Sequence, residues 1–325
     1  MKVAVTGANG HVGACLTRLL LDEGHEVRVL IHSGSRALKG LDIETVKGDL
    51  DNPVLLEHFC RDRDVVFHLA AKISIGSESY EEVYKINVKG TQNLGLAARK
   101  AGVKRFIHFS SVHALQQQPL NMPVDEQRPL ALSSGMFYGK TKALAEAWIL
   151  EQNEDDFQVV VLNPTAIVGP CDYQPSYLGR VIQKIYNQTL PGLVPGGYNW
   201  VDVRDVAQAA VNAIKRGKPG ERYLLSGEWQ SLKTLAKMTC EQANKKCRMP
   251  VFSFWLAHAG VPFIVMYARL KKQEPLYTKT SLAILQSANH NILNKKAIKT
   301  LGFSHRSFAE SLADTIEWFK KHQYL

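Results

Sequence analysis

The chain has 325 residues, 45% hydrophobic and 22% charged, with a formal net charge of +10 at pH 7. That is the composition of an ordinary soluble globular protein, long enough for two domains or for one domain carrying a lobe. Five scattered cysteines (Cys15, Cys60, Cys171, Cys240 and Cys247) with no CxxC pair argue against a disulfide framework or a zinc site, so a reducing cytoplasm is the expected home.

The amino end, MKVAVTGANG, has only a short apolar run before a glycine-rich turn, and a secretory signal is not expected there. KVAVT (2–6) reads as a strand and is followed by a helix over 11–23. EVRVLI (26–31), IETVKG (43–48) and DVVFHLA (64–70) are further strands, and a long helix is expected over 81–101. Next come the strand KRFIHFS (104–110), a helix over 137–151 and the strand QVVVLNP (158–164). Near-continuous apolar strands separated by amphipathic helices predict an α/β fold, a doubly wound parallel sheet of the Rossmann kind. The alternation breaks after Pro164. WVDVRDVAQAAVNAI (200–214) reads as a return to the sheet, ERYLLS (221–226) as a late strand, and the remainder as mostly helical. The expected division is a nucleotide-binding domain over 1–163 and 198–226 and a substrate-binding lobe over 164–197 and 227–325.

Charge follows this division. Residues 1–214 hold 21 Lys and Arg against 23 Asp and Glu, whereas residues 215–325 hold 19 against 7. Without a nucleic-acid-binding motif, the basic last third reads first as a solvated surface, and nucleic acid is not an expected partner.

TGANGHVG (6–13) lies between the first strand and the first helix. In that context Gly7 permits a tight turn, Gly10 leaves room for a pyrophosphate and Gly13 lets the helix pack closely. Gly7, Asn9, Gly10, His11, Val12 and Gly13 are thus the expected phosphate cradle at a helix N-terminus. Within SGMFYGKTKALAEA (134–147), Tyr138 and Lys142 share one helix face. A cation beside a phenol lowers the phenol's pKa, which would make a proton donor. Alone, such a pair is equally an exposed helix stripe. Beside a nucleotide cradle, it reads as acid–base machinery.

These two motifs, with NVKGTQNL (87–94), GDL (48–50), HLAA (68–71), FSSV (109–112), NPTAIVGP (163–170) and WVDVRDVA (200–207), resemble the extended branch of the short-chain dehydrogenase/reductase superfamily. NKKAIKTLGF (294–303) and ESLADTIEWF (310–319) extend the resemblance over nearly the whole chain. It implies that Tyr138 is the general acid/base and that Lys142 activates it and holds the nicotinamide ribose. It implies further that Ser111, rather than Ser110, holds the substrate oxygen. Asn87 matches a helix asparagine that links the lysine to solvent, or is simply a structural asparagine that kinks the helix. His113 reads as incidental. Asp49 and Leu50 match the adenine-binding pair, and Leu69, Ala70, Ala71 and Pro164 are expected to line the cofactor. A homodimer through the helices 81–101 and 137–151 is also implied.

The second strand ends in VLIHSGSRALKG (29–40), which has no acid to hold a ribose diol. His32 and Arg36, with Lys39, Ser33 and Ser35, suit a 2′-phosphate instead, so NADP is expected ahead of NAD. Within the family, the motifs are closest to dihydroflavonol reductases and 3β-hydroxysteroid dehydrogenases. The expected activity is hydride transfer between NADP(H) and a carbonyl/secondary alcohol pair on an apolar or aromatic molecule. A nucleotide-sugar epimerase or dehydratase with tightly held NAD is the alternative, but NPTAIVGP and GGYNWVDVRDVA lack the arginines that grip a sugar diphosphate. A non-catalytic nucleotide sensor is a second alternative, although it would usually have lost the tyrosine or the lysine.

VFSFWLAHAGVPFIVMYA (251–268) has no carboxylate, lysine or arginine, and Arg269, Lys271 and Lys272 follow. The first expectation is a buried helix pair of the lobe. An apolar lid over the substrate comes next, then peripheral contact with an anionic membrane. A spanning helix comes last.

Overall fold

The computed structural model describes residues 1–325 apart from 33, 35, 75–77, 271–274 and 276, and the backbone alone at 267–269. Ser33, Ser35, Lys271 and Lys272 therefore lie outside the described residues, as does the side chain of Arg269.

Seven strands form one parallel sheet in the order β3-β2-β1-β4-β5-β6-β9. They are β1 (Lys2–Thr6), β2 (Glu26–Ile31), β3 (Glu44–Lys47), β4 (Val65–His68), β5 (Arg105–Phe109), β6 (Gln158–Pro164) and β9 (Glu221–Leu225). Branched apolar residues on both faces of β1, β4 and β6 are buried, as a sheet covered by helices on two sides requires. One face packs α1 (His11–Asp22) against α7 (Val203–Arg216), with α11 (Lys295–Leu301) beside them. The other face carries α2 (Pro53–Cys60), α4 (Gly90–Lys100) and α5 (Phe137–Glu151) around Phe59, Phe106 and Phe157.

The helix expected over 81–101 begins as α3 (Tyr80–Tyr84), loosens into a π-helical turn at Lys85–Lys89 and continues as α4. Ser79 and Glu82 start it with a reciprocal capping box. Strand order reverses about β1, whose neighbours are β2 and β4, so a crevice opens at their carboxyl ends.

A second sheet of three strands, β10-β8-β7, supports the lobe. It consists of β7 (Ala166–Val168), β8 (Gly197–Asp202) and β10 (Glu228–Ser231). Here the sequence reading needs correction. β8 was counted with the nucleotide-binding part, yet it pairs with β7 and β10, and only α7 after it packs on the large sheet. Alternation along β8 cannot tell which sheet edge will receive it, because that depends on pairing partners distant in sequence.

The lobe's core gathers Trp200, Leu235, Leu282 and Phe319 from β8, α8 (Leu232–Gln242), α10 (Lys279–Ser287) and α12 (Phe308–Lys321), with α6 (Tyr177–Tyr186) alongside. The apolar stretch corrects a second expectation. It is one helix, α9 (Phe254–Leu270), rather than a buried pair, and much of its apolar surface faces outward. No helix among the described residues is long and apolar enough to cross a membrane.

Candidate active site

The glycine turn fits its expected role through backbone geometry. Gly7 adopts φ +73°, and a Cβ there would sit 2.6 Å from the Ala70 amide nitrogen. A Cβ on Gly13 would fall 2.1 Å from the Gly7 carbonyl oxygen, so only glycine lets α1 start this close to β1. Gly10 is the N-cap of α1 and no side chain caps the helix, nor is there an acid in its first turn. The first-turn N–H groups are left to a ligand, and the positive end of the helix favours an anion. Asn9 Nδ2 donates to the Gly34 carbonyl at 2.8 Å, joining this turn to the loop after β2. His11 Nε2 lies 2.9 Å from the Pro170 carbonyl oxygen and ties the turn to the loop after β7.

Two cavities share the turn, each lined in part by Gly7 and Gly10. One, of about 650 Å³, runs toward β2 and β3 and is lined by Asn9, His32, Asp49, Leu50, Leu69, Ala70 and Ala71. It has the residues an adenosine requires, an apolar wall with polar groups at the rim. His32 does lie there, but its ring is paired with Asp49. Arg36 does not join it. Its guanidinium stacks over Tyr324, 5.2 Å from the ring centroid, and it is not among the cavity's lining residues. A cation–π contact with the carboxyl-terminal segment thus holds Arg36 outside the lining of the cavity where the sequence reading expects it to meet a 2′-phosphate.

The second cavity, of about 380 Å³, brings Tyr138, Lys142, Ser111 and Pro164 together with His11, Val12 and Gly13. Tyr138 and Lys142 project from α5, and Ser111 follows β5. The Ser111 hydroxyl accepts the His113 amide N–H at 3.2 Å and also hydrogen-bonds the Tyr138 phenol. Burial raises the phenol's pKa, and the bond to Ser111 partly opposes this. The net direction is opposite to the one expected from the Tyr–Lys spacing. Burial outweighs any help from a neighbouring cation, and the Lys142 ammonium itself donates to the Phe109 carbonyl at the end of β5. Burial lowers the Lys142 pKa to about 8, with Glu146 acting to raise it. Near neutral pH this lysine is thus close to titrating, a property common where a group must tune chemistry.

Asn87 sits in the π-helical turn and is buried. Its amide Oδ1 accepts the Lys72 N–H at 2.7 Å, and Nδ2 donates to the Lys72 carbonyl and to Thr141 Oγ1, each at 3.0 Å. It therefore fastens the segment after β4 to α5, one residue from Lys142, and does not line either cavity.

Three residues under the lysine were missed from sequence. Glu146 is fully buried one helical turn beyond Lys142, with Arg222 Nε at 2.9 Å and Asn163 Nδ2 at 2.8 Å. The only sequence signal was a carboxylate at the next i+4 position of the Tyr–Lys stripe. Its partners come from β6 and β9 and could not be found by spacing.

Beyond Tyr138, Lys142 and Ser111 the cavity is walled by Tyr177, Leu178, Tyr198, Ile284 and Ile292. Asn199, Asn289 and Gln117 also line it, but largely bond one another and nearby carbonyls, with Asn289 Nδ2 on the Gln117 and Met122 carbonyls at 3.1 and 2.8 Å. Among its described lining residues, Lys142 is the one Lys, Arg, Asp or Glu. No group of described residues could hold a metal ion.

Comparison with known proteins places this geometry. The model of the NAD dependent epimerase/dehydratase family matches residues 3–226. The chain is 31% identical to "Sterol demethylase protein B" of Methylococcus capsulatus, covering 99% of both chains. It is 32% identical to "Putative dihydroflavonol 4-reductase" of Synechocystis, covering 99% of this chain and 95% of the other. The crystal structure of gox2253 superposes with a TM-score of 0.84 at 33% identity, covering 98% of each chain. The chain belongs to the NAD-dependent epimerase/dehydratase family and is an NAD(P)-dependent enzyme of the extended short-chain dehydrogenase/reductase type.

Proposed function

We propose that this enzyme is an NADP-dependent oxidoreductase acting on a carbonyl/secondary alcohol pair of a neutral, apolar or aromatic substrate. The carrying observation is the cavity beyond Tyr138, walled by Tyr177, Tyr198, Ile284 and Ile292, where Lys142 is the single charged side chain among the described residues. A sugar diphosphate would bring two negative phosphates into a space with no arginine among its described lining residues, whereas an apolar ring would lose little on leaving water. The names of the two curated relatives, one a sterol demethylase protein and the other a dihydroflavonol reductase, support a substrate of that character.

The first-turn N–H groups of α1 would hold the pyrophosphate of a dinucleotide and Lys142 its nicotinamide ribose; bound there, it would supply or accept the hydride. Ser111 donates to the substrate oxygen and fixes it beside Tyr138. During reduction Tyr138 gives its phenolic proton to that oxygen, and during oxidation it takes the hydroxyl proton back. The ammonium of Lys142 stabilises the phenolate left behind. NADP is favoured over NAD because β2 ends without an acid and with His32 on the cavity rim. A homodimer through α4 and α5 is part of this reading, with Leu96 exposed on α4.

The test is NADPH oxidation with a panel of apolar and aromatic ketones, run beside chromatographic detection of isomerised or dehydrated UDP-sugars with NAD present, for the native chain and Tyr138→Phe. The variant is expected to bind NADPH normally and to lose roughly 10²–10⁴ in turnover. Full turnover in the variant would remove Tyr138 as the proton donor. Turnover of UDP-sugars alone would replace the reductase by an epimerase.

A further inference from the structure

We infer that α9 docks this protein onto an anionic lipid bilayer. Helix α9 turns its apolar side outward. Trp255, Phe263, Met266 and Leu270 are 76, 70, 57 and 76% exposed, and Leu256 is 49% exposed. Positions 255, 259, 262, 263, 266 and 270 recur at helical spacing, so these side chains form one continuous stripe. Val251 and Phe252 prolong it before the helix begins. Only Val261 of the helix is fully inside the lobe core. Five large exposed apolar side chains on one helix are not the single scattered apolar residues normal on a surface.

Charge identifies the occupant. Between residues 242 and 273 the sequence has six lysines and arginines and no aspartate or glutamate. Three of them, Lys245, Lys246 and Arg248, are exposed just ahead of the helix, and Lys279 is exposed at the start of α10. Glu241, the carboxylate before this run, lies 3.9 Å from Lys237. An outward apolar stripe with tryptophan near one end and cations on its flanks matches the lipid–water boundary, where apolar side chains enter the acyl region and cations meet headgroup phosphates. A second copy of the chain fits less well, since a twofold contact through α9 would set these cations against their own copies. The helix has 17 residues and does not span a membrane, so it lies along the surface.

The position also has a use. α9 packs on α10, and Ser281, Ile284 and Ala288 on or next to α10 line the cavity above Tyr138. The lobe wall that touches lipid is thus separated from the substrate cavity by one helix. The docking inference rests on α9 and its charges, and stands whether or not the proposed reaction is right.

The experiment is co-flotation of the full chain with vesicles of phosphatidylcholine alone and with phosphatidylglycerol added, for the native protein and the double variant Phe263→Glu, Met266→Glu. Native protein is expected to float with the phosphatidylglycerol vesicles, to be released by high salt, and to partition at least about tenfold less in the double variant. Both substituted residues are exposed, so NADPH affinity and the thermal midpoint of the variant should match the native values. Failure of the native chain to float overturns the inference. So does equal flotation of the variant, or indifference to phosphatidylglycerol. A native dimer that the double variant dissociates, with no vesicle binding, would give the face to a second copy.

Discussion

Glu146 is the buried carboxylate whose charge acts on Lys142. It is 0% exposed, and Arg222 and Asn163 hold it from neighbouring strands. Glu146→Gln keeps the shape but leaves Arg222 without its counter-charge, and is expected to cost about 3 kcal/mol in urea unfolding. It also removes the charge that raises the Lys142 pKa, so the lysine should titrate below its value of about 8 and the pH–rate profile should move to lower pH. An unchanged profile and midpoint would show the pair to be inert. At the opposite end of the cofactor site, His32 on the rim is paired with Asp49. His32→Asp places an anion where a 2′-phosphate is proposed, and fluorescence titration should show NADPH binding at least about tenfold weaker with NADH little changed. Equal losses for both nucleotides would put the 2′-hydroxyl elsewhere.

Helix α5 shows how an element turns local pattern into a site. Its Tyr–Lys spacing was legible because a helix places i and i+4 on one face. Less legible was the reason for glycine between them. A Cβ on Gly139 would lie 2.7 Å from the His113 carbonyl oxygen, so the helix can approach the turn after β5 only without a side chain there. Gly139→Ala should push α5 outward and part Tyr138 from Ser111. We expect kcat to fall on the order of 100-fold while NADPH affinity stays within about threefold, read by steady-state kinetics beside a binding titration. A matching loss of affinity would mean the whole crevice had moved. The long helix through Asn87 carries a similar lesson. Its periodicity predicted an unbroken helix, whereas the structure has a π-helical turn at Lys85–Lys89 that sets Asn87 between Lys72 and Thr141. That bulge serves a contact 54 residues away in sequence, which periodicity does not register.

For the molecule as a whole, stability should depend on two imidazoles in the sheet. His68 on β4 and His108 on β5 are register partners, 1% and 0% exposed, with ring centroids 5.4 Å apart. His68 is held between Thr6 and Thr91, at 2.8 and 2.9 Å. Burial lowers the His68 pKa to about 3 and puts His108 well below its usual value, with the charge of Lys142 adding to both. The unfolded chain takes up protons on these rings below about pH 6.5, and the folded chain does not until far lower. Their contribution is thus complete above that pH and is lost as pH falls toward 3. At pH 5.5 His68 should cost about 1 kcal/mol relative to pH 7.5, with His108 adding to it. Urea midpoints across that range check this, and His108→Leu should flatten the dependence. A midpoint indifferent to pH would mean that the rings protonate in place.

The sequence by itself determined the doubly wound sheet, the glycine turn and the Tyr138–Lys142 pair, because strand and helix periods and glycine's conformational range act over a few residues. It also carried Ser111 next to a strand end, while the resemblance that gives this serine a role is borne out at the level of the family, whose model matches residues 3–226. Only the tertiary structure decided that β8 joins the small sheet, that Arg36 turns to Tyr324 and that Glu146 meets Arg222. It alone showed that α9 presents its apolar side to the outside. Each of these depends on which distant segments become neighbours, and on which side of an element they leave uncovered. An apolar run records that a side chain leaves water readily, but whether protein or lipid receives it is set by what packs beside it.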